Sequence, residues 1–267
     1  MSARAWFPPL LASALALALV FLMLPVVAIF VDTSPARLID SLGDEGSREA
    51  LWLSLRTTAV ALATIVVVGT PAAYLLATRS FRGRSLVVTL IELPLVLPPA
   101  VAGIALLAAL GPKGILGGAL EDAGIELVLQ TAGVVVALTF VASPFYVRLA
   151  QAAFQAIDPT LLEASRTLGA SEARTFVRIA IPAAMPGLTA GAALALGRAL
   201  GEFGATLMFA GSFEGITQTV PLAIYARFGT DFDAALALSA VLVAVSAGIL
   251  LSVKLVARSE VLPDARA

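Results

Sequence analysis

An all-α membrane protein of six transmembrane helices is the fold this sequence predicts, on three observations: its composition, six long apolar stretches, and the alternation of charge between them. Hydrophobic residues make up 60% of the chain and charged residues 13%, with a mean hydropathy of +0.99. Soluble domains average about 45–50% apolar and about 25% charged residues. A water-soluble fold of 267 residues has no interior large enough for this much apolar surface. A bilayer core of roughly 30 Å takes about 20 apolar helical residues, and stretches at 10–31, 52–77, 86–110, 127–147, 182–209 and 234–253 qualify. The chain reads as one membrane domain, 1–267, with its core at 51–257, an additional span and outward loop at 1–50, and a structured loop at 158–182.

The first stretch follows Arg4, as a secretory signal would. It is longer than a signal core and lacks a small-residue cleavage site, so it reads as an uncleaved span. Arg79, Arg82 and Arg84 follow the second span, Arg148, Arg166, Arg174 and Arg178 the fourth, and Lys254 and Arg258 the sixth. The alternate connections carry Asp32, Asp40, Asp44, Glu45 and Glu49, then Glu121, Asp122 and Glu126, then Glu214, Asp231 and Asp233. Because Lys and Arg near span ends stay inside, both termini are expected in the cytoplasm.

In the third span, Pro94, Pro98 and Pro99 each remove a backbone donor and crowd a preceding carbonyl, so the helix must bend or unwind. Such backbone persists at membrane depth where it is packed in protein or lines a watery cavity, and both a pathway wall and a kinked packing helix fit. Glu92, in the first half of this span, has no partner evident in the sequence. In the fifth span Arg198 and Glu202 lie four apart and share a face, where an unpaired charge is costly. They suit either an anion pathway or an internal salt bridge. Gly187 and Gly191, extended by Ala183 and Ala195, let a neighbouring helix approach closely, which predicts this span near the bundle centre or at a subunit interface. The connection at 211–233 is long and polar, a candidate outer gate or docking footprint.

The loop after span four carries most information. It is expected to run from Arg148 to about Ile181. Asp158 and Pro159 read as N-cap and first helical residue, Thr160 and Glu163 offer an alternative capping box, and Gly169 suits a left-handed C′ position. A helix of about three turns results, with Leu161, Leu162, Ser165 and Leu168 near one face and Glu163 and Arg166 elsewhere. A second short helix is expected at 171–179, ended at the membrane by Pro182.

Several chemistries are disfavoured. Cys and His are absent, which removes thiolate and imidazole nucleophiles and metal ligands. The sequence has no GxxxxGK[ST] phosphate loop. A balance of 17 Lys and Arg against 18 Asp and Glu argues against nucleic acid as a partner.

The loop reads Glu163-Ala164-Ser165, three residues, Gly169, nine residues, Ile179, one residue, then Ile181-Pro182. This spacing resembles the EAA motif of bacterial ABC importer permeases, departing at Ser165 and Ile181, where the pattern has Ala and Leu. The resemblance extends to 93–99 with Ala102-Gly103, to 166–170, and to 198–206, stretches similar to the molybdate branch of the molybdate, tungstate and sulfate permeases. Phe203 stands where sulfate permeases commonly have Tyr. What the resemblance implies is a type I importer transmembrane domain in a bacterial inner membrane, working as a homodimer in lipid. Two cytoplasmic ATPase subunits would carry ATP-Mg, and an extracytoplasmic oxyanion-binding protein would deliver molybdate. It further implies that Glu163, Ala164, Ser165, Gly169, Ile179 and Pro182 form the coupling helices that dock on the ATPase. No cofactor or metal is expected on this chain. Rival readings are a secondary transporter or channel acting alone, for which no internal repeat is evident, and a membrane enzyme, for which only Arg198 and Glu202 come close to a catalytic pair.

Overall fold

The computed structural model describes the backbone of residues 7–261 and the side chains of 7–253, so Arg4 and the side chains of Lys254 and Arg258 lie outside the described residues. In chain order the elements are α1 (Phe7–Asp32), α2 (Pro35–Gly43), α3 (Glu45–Thr78), α4 (Arg84–Val96), α5 (Pro99–Leu110), α6 (Gly117–Asp122), α7 (Thr131–Gln155), α8 (Pro159–Thr167) and α9 (Glu172–Thr175). A π-helical turn (Phe176–Ala180) then leads into α10 (Ile181–Leu200), followed by α11 (Gly204–Ala210), α12 (Val220–Phe228) and α13 (Phe232–Val261). Among the described residues, α1, α3, α7, α9–α10 and α13 are long and apolar enough to cross a membrane, and α4 with α5 forms a sixth, bent segment.

Sequence spacing explains the central contact. Leu53, Thr57, Ala61, Ile65, Gly69 and Ala73 form a buried row at intervals of four along α3, and Val134, Leu138, Ala142, Tyr146, Ala150 and Phe154 form another along α7. Rows at i, i+4 are the ridges that interdigitate between packed helices, and the small residues among them bring the backbones close. A Cβ on Gly69 would stand 2.9 Å from the Tyr146 ring. The Tyr146 hydroxyl lies 2.6 Å from that of Thr70, which satisfies both within the apolar core.

These contacts also order the chain. Gly69 and Thr70 meet Tyr146, and Tyr74 meets Phe154, so α3 and α7 run in the same direction. The segment between them must therefore cross once in net, which is the work of α4 and α5. Gly187 of α10 faces Ala153, and Gly191 faces Leu149 and Tyr146, so α10 runs antiparallel to α7. An ion pair between Arg37 and Asp233 puts the starts of α2 and α13 together. The start of α1 and the end of α13 thus belong to the end of the bundle that carries α8, as an even number of crossings requires.

The bend expected in the third span is present: α4 and α5 are bent by 119° about residues 97 and 98, because three prolines remove the donors that would bridge Leu90, Pro94 and Leu95 across the break. Other expectations change. The fifth span ends at Leu200, with 201–203 non-helical before α11. Pro182 does not end a helix, since 172–200 is one continuous helical segment. The π turn absorbs the proline: Ile181 N–H donates to Phe176 O, and the wider turn relieves the crowding Pro182 would cause. The loop after span four begins beyond Gln155, since Arg148 lies inside α7. α7 is the most buried of the long helices, and α10 lies against it through Gly187 and Gly191, the close approach that these small residues predict.

Candidate functional site

The loop at 158–182 is built as a rigid projection. Asp158 caps α8, its Oδ1 accepting from Thr160 N–H at 2.9 Å, and this hydrogen bond holds the carboxyl below the usual carboxylate range. Asp158 is the N-cap; the Thr160 and Glu163 capping box does not form. At the other end Gly169 has φ +82°, Gly169 N–H donates to Arg166 O at 2.9 Å and Ala170 N–H to Ser165 O at 3.1 Å. These are the paired bonds of a Schellman terminus, and a left-handed C′ residue is what glycine supplies at least cost.

Three contacts fasten α8 to the body. Leu162 is buried in the main core, the Ser165 and Thr175 hydroxyls lie 2.9 Å apart, and Arg166 Nε lies 3.1 Å from Glu172 Oε1. Arg79, at the end of α3, reaches the same carboxylate at 3.8 Å. The face predicted from the sequence is therefore divided: Leu162 and Ser165 turn inward, while Leu161 is 51% and Leu168 88% exposed. With exposed Ala164 these two form an outward apolar stripe at i, i+3 and i+7, and Glu163 is also exposed. Ile179 is half-buried against the core, and Pro182 sits in the first turn of α10. Sequence reading missed Glu172, whose role as a clamp depends on the fold bringing Arg79 and Arg166 to it.

Behind this loop Tyr74, Phe154 and Phe176 form an aromatic cluster, with centroids 5.2 Å apart for Tyr74 and Phe154 and 4.7 Å for Tyr74 and Phe176. It joins α3, α7 and the π turn directly beneath α8.

Pro94 lies inside α4, Pro98 caps α5 and Pro99 is its first residue. The outer half-helices α5 and α11 meet through glycines: a Cβ on Gly103 would stand 2.6 Å from Ala205 O, and one on Gly204 would stand 2.7 Å from Pro99 Cβ. Arg198 and Glu202 do pair, Nη2 to Oε2 at 2.6 Å. Glu202 lies past the end of α10, not on its face, and its Oε1 accepts from Ala205 N–H at 2.7 Å, capping α11. One carboxylate, 1% exposed, thus joins the two halves of the fifth span. Glu92, unpartnered in the sequence, meets Arg148 of α7, Oε1 to Nε at 2.7 Å. Among the described residues no His, Cys, Asp or Glu cluster could hold a metal ion.

The connection at 211–233 is folded rather than free. Thr217, Gln218 and Thr219 are buried, Val220 N–H donates to Ser54 Oγ at 2.8 Å, and Thr131 Oγ1 donates to Ile216 O at 2.8 Å. Its exposed parts are a loop at Phe213, Glu214 and Ile216 and the Tyr225 and Phe228 side of α12. Arg227 joins α12 to the start of α3, donating from Nη1 to Ser47 Oγ at 2.9 Å and pairing with Asp44. That guanidinium first, and the Ser47 N–H and hydroxyl next, hold the Asp44 carboxyl at about 2.

A bundle of apolar helices interrupted at two points and bearing a rigid capped helix at one end is a membrane transport component. The chain belongs to the family of binding-protein-dependent transport system inner membrane components, whose model matches residues 65–259. It is 43% identical over 235 residues to the molybdenum transport system permease protein ModB of Mycobacterium tuberculosis H37Rv, covering 88% of this chain and 89% of that one. It is 39% identical over 236 residues to a probable molybdenum ABC transporter permease protein of Haloferax volcanii, covering 88% and 85%. The fold matches a bacterial ABC transporter that imports alginate, with TM-score 0.76, 20% identity and 96% of both chains covered. It also matches the MetNI methionine ABC transporter in an inward-facing conformation, with TM-score 0.61, 22% identity and coverage of 79% and 94%. The fold is that of a type I ABC importer transmembrane domain, the protein is a multi-pass membrane permease of the molybdate transporter type, and such subunits are non-catalytic.

Proposed function

We propose that this chain carries molybdate inward across a bacterial inner membrane by alternating access, as a homodimer on two cytoplasmic ATPase subunits, with an extracytoplasmic binding protein delivering the anion. ATP-Mg is bound and hydrolysed by the partner, and this chain holds no cofactor. Both termini and the loop at 158–182 face the cytoplasm, within a single membrane domain whose core is 51–257. The observation that carries the reading is α8: an outward stripe of Leu161, Ala164 and Leu168 on a helix bound to the body by Leu162, Ser165 and Arg166. Such a helix gives a closing ATPase something apolar to grip and passes its displacement to α3, α7 and α10 rather than dissipating it. Glu163, Ala164, Ser165, Gly169, Ile179 and Pro182 form the coupling unit. Arg198 and Glu202 serve the fifth span as a strut across its break, since both carboxylate oxygens are engaged. Relatives of the molybdenum transport type support the substrate.

The test is reconstitution with the ATPase and binding protein in proteoliposomes. Leu168→Glu should abolish ATP-dependent molybdate uptake while leaving membrane insertion and dimerisation intact. Undiminished uptake would remove α8 from the coupling path. Titrating the binding protein with molybdate, tungstate and sulfate by calorimetry decides among the three oxyanions.

A further inference from the structure

Resting on the importer reading above, we propose that Arg148, held by Glu92 and Gln151, is an oxyanion contact on the inner half of the translocation pathway. Arg84, the first residue of α4, donates from Nε to Leu76 O near the end of α3, so α4 starts at the α8 end of the bundle. Glu92 is eight residues further along, about 12 Å at the helical rise. Arg148 lies seven residues before the end of α7, about 10 Å in from the same side. Both groups are therefore within the apolar layer, yet in a single protomer the Arg148 side chain is 45% and that of Glu92 35% exposed. A charged pair this accessible at this depth is not stable against lipid tails; it faces a second protein surface or water.

The neighbouring backbone favours water. The next turn of α4 contains Pro94, then comes the 119° break at Pro98 and Pro99, where carbonyls lose their helical donors. Unpaired carbonyls at membrane depth belong beside a hydrated cavity. The guanidinium is also positioned. Its Nε meets Glu92 Oε1 at 2.7 Å, and its Nη1 donates to Oε1 of Gln151 at 3.2 Å, an amide only 4% exposed. These two contacts use one part of the planar fork, and the remaining donors have the geometry that oxyanions accept. The carboxylate has a second effect. A lone arginine in a dry wall would hold a dianion too long, whereas a paired one offers hydrogen bonds with much of its charge offset. Passage requires a site weak enough to leave.

The deciding variant is the double substitution Glu92→Gln with Arg148→Gln, which keeps a hydrogen-bonded pair without charge. In proteoliposomes with the ATPase and binding protein, it should assemble and retain binding-protein-stimulated ATP hydrolysis within twofold, while molybdate uptake falls at least tenfold. The single variant Glu92→Gln, which leaves the guanidinium uncompensated, should slow uptake several-fold while raising molybdate retained by the detergent-solubilised complex. Uptake preserved by the double variant, or failure of that variant to assemble, overturns the assignment and makes the pair a helix strut. Wild-type vesicles with no ATP-dependent oxyanion uptake would instead defeat the importer reading itself.

Discussion

Gly169 has open space where a Cβ would stand, with no heavy atom within 4 Å, so its requirement is conformational and not steric. At φ +82° an L side chain meets its own backbone, a cost of about 1 kcal/mol. Gly169→Ala should therefore speed hydrogen exchange at the Gly169 and Ala170 amides by about fivefold, since 1.4 kcal/mol corresponds to tenfold, without disturbing the spans. Ser165 differs in kind. Its hydroxyl meets that of Thr175, which is fully buried, so Ser165→Ala should lower stability by about 1 kcal/mol, read from denaturation in detergent, and leave a hydroxyl unsatisfied. Asp44 titrates. Its folded carboxyl sits at about 2 against an ordinary 3.8, so its contribution is complete above 3.8 and fades as pH falls through 2. The pair with Arg227 is half-exposed, which limits the effect to under about 1 kcal/mol. In an acid titration followed by the thermal midpoint, Asp44→Asn should flatten the fall between those two values.

At the scale of the element, glycine positions on α10 set how closely it can lie on α7. A Cβ on Gly187 would be 2.3 Å from that of Ala153, and neither helix can yield without losing the buried rows beside it. Gly187→Ala should cost about 1–3 kcal/mol by overpacking, seen as a lower thermal midpoint, and Ala153→Gly on the same chain should recover most of it. The two broken spans follow a related logic. Gly103 and Gly204 let α5 and α11 touch across their breaks, and Glu202 joins α10 to α11. The proline cluster marked the first break in the sequence, because a missing donor is local chemistry. Nothing as local marked the second: Gly201-Glu202-Phe203 follows an apolar helix, and Glu202 looks like a helical i+4 partner until the chain is seen to leave the helix. Pro182 misled in the opposite sense, since a π turn accommodates what an α turn cannot.

For the whole molecule, the absence of cysteine makes sidedness directly measurable. Single cysteines at Ser171 and Glu214 lie at opposite ends of the bundle on exposed segments, so an impermeant maleimide should label Glu214→Cys in intact cells and Ser171→Cys only in inverted vesicles. Among the described residues α1 has no buried residue, and its main packing partner is α13. Removing residues 1–33 should accordingly lower the thermal midpoint less than Gly187→Ala does. What the amino-acid sequence by itself determined was the apolar surroundings of the long helices, the proline break in the third stretch and the capped helix at 158–169, because hydropathy, missing donors and capping are properties of near neighbours along the chain. Tertiary structure alone decided that α7 is central, that Glu92 answers Arg148 and Glu172 answers Arg79 and Arg166, and which side of α8 turns outward. Those facts depend on residues of different elements meeting in space, from six positions apart for Arg166 and Glu172 to more than ninety for Arg79 and Glu172, and no pattern confined to one helix records which neighbour it will face.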